Sequence, residues 1–168
     1  LFALLLKPLT EEYGRNHLLI AFNLLFFGVL MFIFDFYGKS NKGIFKTKFK
    51  LQLSLLYGLA QALAIFPGVS RSGITLTYSR LIGMERHEAT TFSFLLALPL
   101  IIAGFILKLP DLLASQDAFS LSTCLFGILV SFIIGLVTIH FFLKLIKKIG
   151  LWFFSVYRII LALLIFLN

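Results

Sequence analysis

The sequence predicts an all-α, polytopic transmembrane protein, and three observations predict it. Of its 168 residues 60% are hydrophobic and only 13% charged, with a mean hydropathy of +1.04, whereas a soluble domain is about half apolar and about a quarter charged. The apolar residues fall in runs, several of them long enough to cross a hydrocarbon core of about 30 Å. The basic residues gather where such runs end: Lys39, Lys42, Lys46, Lys48 and Lys50 form one cluster, and Lys144, Lys147 and Lys148 another. Clusters of this kind mark cytoplasmic loops. The net charge of +8 therefore reports membrane topology. Nucleic acid is not an expected partner, because a basic groove interleaved with stacking aromatics is absent from the sequence. Cys124, the sole cysteine, cannot form an internal disulfide and lies inside an apolar run.

Taken in order, residues 1–168 read as one membrane domain. Leu1 to Leu6 looks like the tail of a helix, and an N-terminal part is expected to precede it. Lys7 to His17 is a polar connection. The first full span is expected over residues 18–36, with Asp35 reaching the interface close to Lys39, and the lysine-rich segment 37–50 is placed in the cytoplasm. The next apolar stretch, 51–66, gives only about 24 Å of helix before it stops at Pro67 and Gly68. The piece that follows the break, 74–83, is shorter still at roughly 15 Å. Neither crosses a bilayer, so 51–83 is expected to be a re-entrant helix–loop–helix hairpin that enters and leaves on one side. Further spans are expected over 89–107, with a kink at Pro99, over 120–143 and over 151–167, and the segment 108–119 is placed outside. Both lysine clusters then fall on the same face. A single full span over 51–83 would put them on opposite faces.

The break carries the chemistry. Arg71 is a permanent cation at membrane depth, which costs several kcal/mol unless an anion, a cluster of carbonyls or a wet cavity is near. Around it stand the hydroxyls of Ser70, Ser72, Thr75 and Thr77, with Gly68 and Gly73 allowing close approach of backbone. The half-helix expected to start near Ile74 offers free N–H groups and the positive end of its dipole. Together these make a site for a phosphate or another compact oxyanion, which an arginine fork can bind with two parallel hydrogen bonds. The competing expectation is an arginine that satisfies broken-helix carbonyls, with serines capping the second half-helix. Gln61, a lone amide in an apolar half-helix, either braces the loop or faces the cavity. Arg158 either snorkels to the interface or pairs with a carbonyl. His17 and His140 are expected near interfaces, His87 as a solvated loop residue, and Thr90, Thr91 and Ser93 to cap or back-bond their helix. No metal-ligand constellation is evident, and near the break the sequence offers no convincing general base.

The stretch containing Gly58, Gln61, Pro67-Gly68-Val69-Ser70-Arg71-Ser72-Gly73 and Thr75 resembles the second signature of the bacterial undecaprenyl-diphosphatases, also called bacitracin-resistance proteins. Phe92-Ser93-Phe94-Leu95-Leu96 up to Pro99, Lys144 to Gly150 and Tyr157-Arg158-Ile159 agree with it in order. The resemblance implies removal of the terminal phosphate of undecaprenyl diphosphate in recycling the lipid carrier of peptidoglycan synthesis, with bacitracin resistance as a consequence. It implies an inverted repeat with two re-entrant hairpins, of which this sequence carries the second. A location in the bacterial inner membrane, a site that opens outward, a possible homodimer and a divalent cation (Mg or Ca) are also implied. By position, Arg71 and Ser70 match the family's functional Ser-Arg pair. Ser72, Thr75, Gly68 and Gly73 would surround the phosphates, with Gln61 in support. The cation's ligands, the nucleophile and the acid–base groups are expected upstream of Leu1. The acidic residue that many members carry before this hairpin has no counterpart in the lysine-rich segment 42–50. A secondary transporter of an anionic solute or lipid is the alternative, since it too would place an oxyanion clamp at a helix break.

Overall fold

The computed structural model describes residues 16–38, 51–114 and 121–167, and among these every regular element is helical. The expected helix tail at 1–6, residues 7–15 of the first connection and residues 39–50 of the lysine-rich segment 37–50 lie outside the described residues. Of the connection expected at 108–119, residues 108–114 are instead helical and 115–119 lie outside the described residues. Helix α1 runs over His17–Tyr37, α2 over Leu51–Ala62 with a 3₁₀ turn at Leu63–Ile65, and α3 over Arg71–Leu81. Helices α4 (Arg86–Ala114), α5 (Leu121–Ile149) and α6 (Trp152–Leu167) follow.

Helix boundaries follow local capping. Asn16 starts α1 by accepting the N–H groups of Leu18 (2.9 Å) and Leu19 (3.4 Å) through its side chain. Gly83, at φ +91°, turns the chain out of α3 while its N–H donates to the Arg80 carbonyl. Three helices extend beyond the apolar runs that foretold them. α3 starts at Arg71 rather than near Ile74, so Arg71, Ser72 and Gly73 form its first turn. α4 starts at Arg86, and Pro99 and Pro110 both lie inside it. α5 continues through Lys144, Lys147 and Lys148 to Ile149. An apolar run marks the part of a helix that sits in hydrocarbon, whereas backbone hydrogen bonding continues into the polar layer.

The stretches His17–Tyr37, Arg86–Pro110 and Ser122–Ile149 are long and apolar enough to cross a membrane. α1 packs along α6 through small residues, with Ala21 and Ala162 both fully buried. At Gly28 an added Cβ would lie 3.3 Å from Arg158 Cβ, so these two helices meet nearly backbone to backbone. α3 is enclosed by α1, α2 and α4. Met31, Leu76, Met84, Ala89, Ile146 and Leu151 form the buried cluster at its C-terminal end.

The burial of α3 needs explanation, since its sequence RSGITLTYSRL is polar. The hydroxyls of Thr75, Thr77 and Ser79 each donate to the carbonyl four residues earlier, at 3.0, 2.7 and 2.7 Å. Each polar side chain is thereby satisfied inside its own helix. Tyr57 of α2, 2% exposed, closes over α3, donating to the Thr75 carbonyl at 3.2 Å and standing edge-on to Tyr78 and Phe92. α2 and α3 thus lie against one another as a helix–loop–helix unit.

Candidate functional site

Between α2 and α3 the chain leaves helical geometry at Phe66 and re-enters it at Arg71. Two residues in the break take positive φ: Gly68 at +87° and Ser70 at +65°. Among the described residues Ser70 is the one non-glycine in that region, a conformation that costs about 1–3 kcal/mol and persists only where neighbours enforce it. The enforcing contacts are visible. Ser70 Oγ accepts the Gly73 N–H at 3.2 Å, the Ile74 N–H donates to the Ser70 carbonyl at 3.0 Å, and the adjacent Val69 is buried.

Three successive carbonyls of the break are bonded from other helices. Asn23 Nδ2 of α1 donates to the Pro67 carbonyl at 2.8 Å. Arg158 Nη2 of α6 donates to the carbonyls of Gly68 at 2.8 Å and Val69 at 2.9 Å. Backbone outside a helix is tolerated at membrane depth when neighbouring protein satisfies it in this way. Of the two expectations for Arg158, the structure shows the carbonyl pairing. Asn23 was missed by the sequence reading, although an amide within an apolar span was a usable signal. The two glycines make room for these neighbours. A Cβ at Gly68 would lie 2.5 Å from the Ile20 carbonyl oxygen, and one at Gly73 would lie 2.7 Å from Arg158 Nη1.

Arg71 differs from Arg158. Its guanidinium has no hydrogen-bond or ion-pair partner among the described residues, and it is half-buried. It lines a groove of about 780 Å³ whose other walls include Gln61, Ser54, Ile65, Leu96 and Leu100. Gln61 therefore faces the groove. Ser70 and Ser72 are exposed at the start of α3, where the helix dipole is positive. Thr75 is turned the other way: it is 2% exposed, and its hydroxyl meets the Arg71 and Ser72 carbonyls and, at 2.7 Å, Ser93 Oγ.

A divalent cation does not fit the residues present at the break. Among the described residues no group of three or more His, Cys, Asp or Glu side chains gathers. Arg71 and Arg158 together present positive charge, and Asp35, Glu85 and Glu88, the carboxylates whose side chains are described, are elsewhere. Glu85 and Glu88 stand at the start of α4, beyond the opposite end of α3 from the break.

That opposite end is organised by Asp35. The carboxylate, expected at the interface close to Lys39, is 3% exposed and ties α1 to α3, α4 and the turn before α6. It accepts from Arg86 Nε at 2.8 Å, from Arg86 Nη2 at 3.1 Å and from the Leu151 N–H at 2.9 Å. Arg80 Nε lies 3.3 Å away, while the Arg80 fork donates to the carbonyls of Met84, Asp35 and Gly38. Lys39 lies outside the described residues, and Arg80 and Arg86 approach Asp35 only when α3 and α4 pack.

Three helices long and apolar enough to span a membrane, and a helix break whose carbonyls are bonded from neighbouring helices while one arginine has no partner among the described residues, define a multi-pass membrane protein with an interrupted helix. Comparison with known proteins makes the assignment specific. Residues 1–164 match the family model described as bacitracin resistance protein BacA, and the chain belongs to that family. It is 39% identical over 170 residues to undecaprenyl-diphosphatase 1 of Pseudoalteromonas translucida, covering 100% of this chain and 63% of the relative. It is 38% identical to the undecaprenyl-diphosphatase of Marinobacter nauticus and 41% to that of Colwellia psychrerythraea, each over 96% of this chain and 60% of the relative. The chain thus spans about three fifths of the length of these relatives. Members of this family in bacteria are proteins of the inner membrane.

Proposed function

We propose that the intact protein removes the terminal phosphate of undecaprenyl diphosphate, yielding the monophosphate carrier, and so confers resistance to bacitracin. The observation that carries this reading is the Arg71 guanidinium, without a partner among the described residues, at the edge of a largely apolar groove. A polyprenyl diphosphate is an apolar chain ending in a dense oxyanion, and it needs both surfaces. Relatives named undecaprenyl-diphosphatase, alike along the whole chain, support the same substrate.

In the proposed reaction water attacks the terminal phosphorus and the bridging P–O bond breaks. Inorganic phosphate leaves, and the lipid monophosphate remains. Arg71 stabilises the negative charge on the transferred phosphoryl group. Ser70, its Oγ accepting from Gly73, keeps its own proton to donate to a phosphate oxygen. Ser72 and the first-turn N–H groups of α3 extend the clamp, and Gln61 supports it from α2. Gly68, Gly73 and Thr75 hold the shape of the break. The helix–loop–helix unit α2–α3 is read as a re-entrant hairpin, one half of an inverted repeat, opening to the outer face. A divalent cation would neutralise phosphate charge. We place its carboxylate ligands, together with the acid–base groups, on parts of the intact protein outside this chain.

The test is phosphate release from undecaprenyl diphosphate by the purified intact protein, with and without divalent cation, beside Arg71→Ala. Metal-dependent release that falls about 10²–10³-fold in the variant is expected. A folded intact protein that releases no phosphate would overturn the phosphatase reading and leave anion transport.

A further inference from the structure

The break is not the sole place where this fold collects donors for an anion. At the other end of α3, about 16 Å away along the helix, lies a polar basin of about 370 Å³. Arg80, Arg86, Lys147 and His87 line it together with Asp35 and Glu85. Three permanent cations thus face two carboxylates. Asp35 already accepts from Arg86 and from the Leu151 N–H. Glu85 tempers the field but leaves it positive.

Two features separate this basin from an ordinary structural ion pair. Arg80 is 3% exposed, yet its Nε finds no hydrogen-bond acceptor, and its 3.3 Å approach to Asp35 Oδ1 is an ion pair without hydrogen-bond geometry. A buried charged donor left without an acceptor is costly. Secondly, the 29-residue helix α4 begins here, and its first intrahelical bond is from the Ala89 N–H to the Glu85 carbonyl. The N–H groups of Arg86 and His87 therefore point out of the helix beside the basin, at its positive dipole end. Lys147 stands across from them on α5, exposed and without an ion-pair partner among the described residues.

We propose that this basin is a second oxyanion site, taking a phosphate group carried either on an acidic lipid headgroup or free in solution. A phosphate presents several acceptor oxygens to Arg86 Nη1, which has no acceptor among the described residues, to the Lys147 ammonium and to the helix N–H groups. Basic pockets between transmembrane helices on the cytoplasmic side take such headgroups, and the lysine cluster of α5 assigns the basin to that side. The proposal does not rest on the phosphatase reading, since it uses none of the residues of the break.

The experiment uses the intact protein in nanodiscs of phosphatidylcholine with or without phosphatidylglycerol, in parallel with titration by inorganic phosphate. Native mass spectrometry reads retained lipid, and thermal melting reads phosphate. Lys147→Gln is the informative variant, because the exposed lysine supports no packing, and Lys144→Gln on the same helix but outside the basin is its control. Preferential retention of phosphatidylglycerol, weakened about fivefold by Lys147→Gln and unaffected by Lys144→Gln and Arg71→Ala, establishes the site with a lipid as its source. Stabilisation by inorganic phosphate that is lost in Lys147→Gln, without lipid preference, establishes it with free phosphate. The proposal is overturned if neither ligand binds, if both lysine variants weaken binding equally, or if the phosphate effect disappears in Arg71→Ala instead.

Discussion

The two ends of α3 show opposite ways of keeping arginine in a membrane protein. At its C-terminal end a single carboxylate, Asp35, draws in Arg80 and Arg86. At its N-terminal end two arginines, Arg71 and Arg158, stand near the break with no described carboxylate to balance them. Arg158 is occupied by carbonyls and Arg71 by nothing among the described residues. The difference lies in the protein acceptors: Arg80 is held by the Met84, Asp35 and Gly38 carbonyls, whereas the Arg71 fork meets none among the described residues. What separates the two is whether protein acceptors already fill the guanidinium fork.

Four substitutions sharpen or break that comparison. Asp35→Ala is expected to have the largest effect on stability, about 3–5 kcal/mol, because it leaves two arginines without their shared counter-charge. Thermal melting of the intact protein in nanodiscs checks it, and a Tm close to the parent would show that Asp35 does not organise this end. Arg71→Ala is expected to lower phosphate release by about 10²–10³-fold while leaving Tm nearly unchanged, since no side-chain hydrogen bond or ion pair among the described residues is lost. A large fall in Tm would instead make Arg71 structural. Arg158→Lys is expected to cost about 2 kcal/mol, because one ammonium replaces a fork that reaches both the Gly68 and Val69 carbonyls. Equal stability of lysine and arginine would show that the two carbonyls need no fork. The smallest effect has the opposite sign. Ser70→Gly removes the strain of φ +65° at the loss of a weak cap, so a gain of about 1 kcal/mol is expected. Activity should nevertheless fall if the Ser70 hydroxyl touches phosphate. Unchanged activity would remove Ser70 from the site.

Much of this was legible in the sequence. The hydrophobic runs gave α1, α4, α5 and α6, and Pro67 with Gly68 gave the interruption, because run length and helix-breaking residues act locally. Arg71 could be singled out because an unpaired cation within apolar surroundings is costly wherever it lies. What escaped was the set of contacts that exist only after packing. Asn23 and Arg158 reach the break from 44 and 90 positions away along the chain. Asp35 meets Arg80 and Arg86, 45 and 51 positions away along the chain. The start of α3 at Arg71 also escaped, since a serine cap at positive φ has no reliable signature in sequence. Thr75, which stood with the phosphate-facing hydroxyls, turns towards Ser93 instead.

The contact between Gly73 and Arg158 bears on how the family can vary. A single methyl at position 73 would come within 2.7 Å of the guanidinium that holds the break closed. Neither position can drift alone: a larger residue at 73 displaces the clamp, and a shorter one at 158 abandons two carbonyls. Across homologous sequences the pair should therefore be inherited as a unit, and any lineage that loses one member should have rebuilt the other.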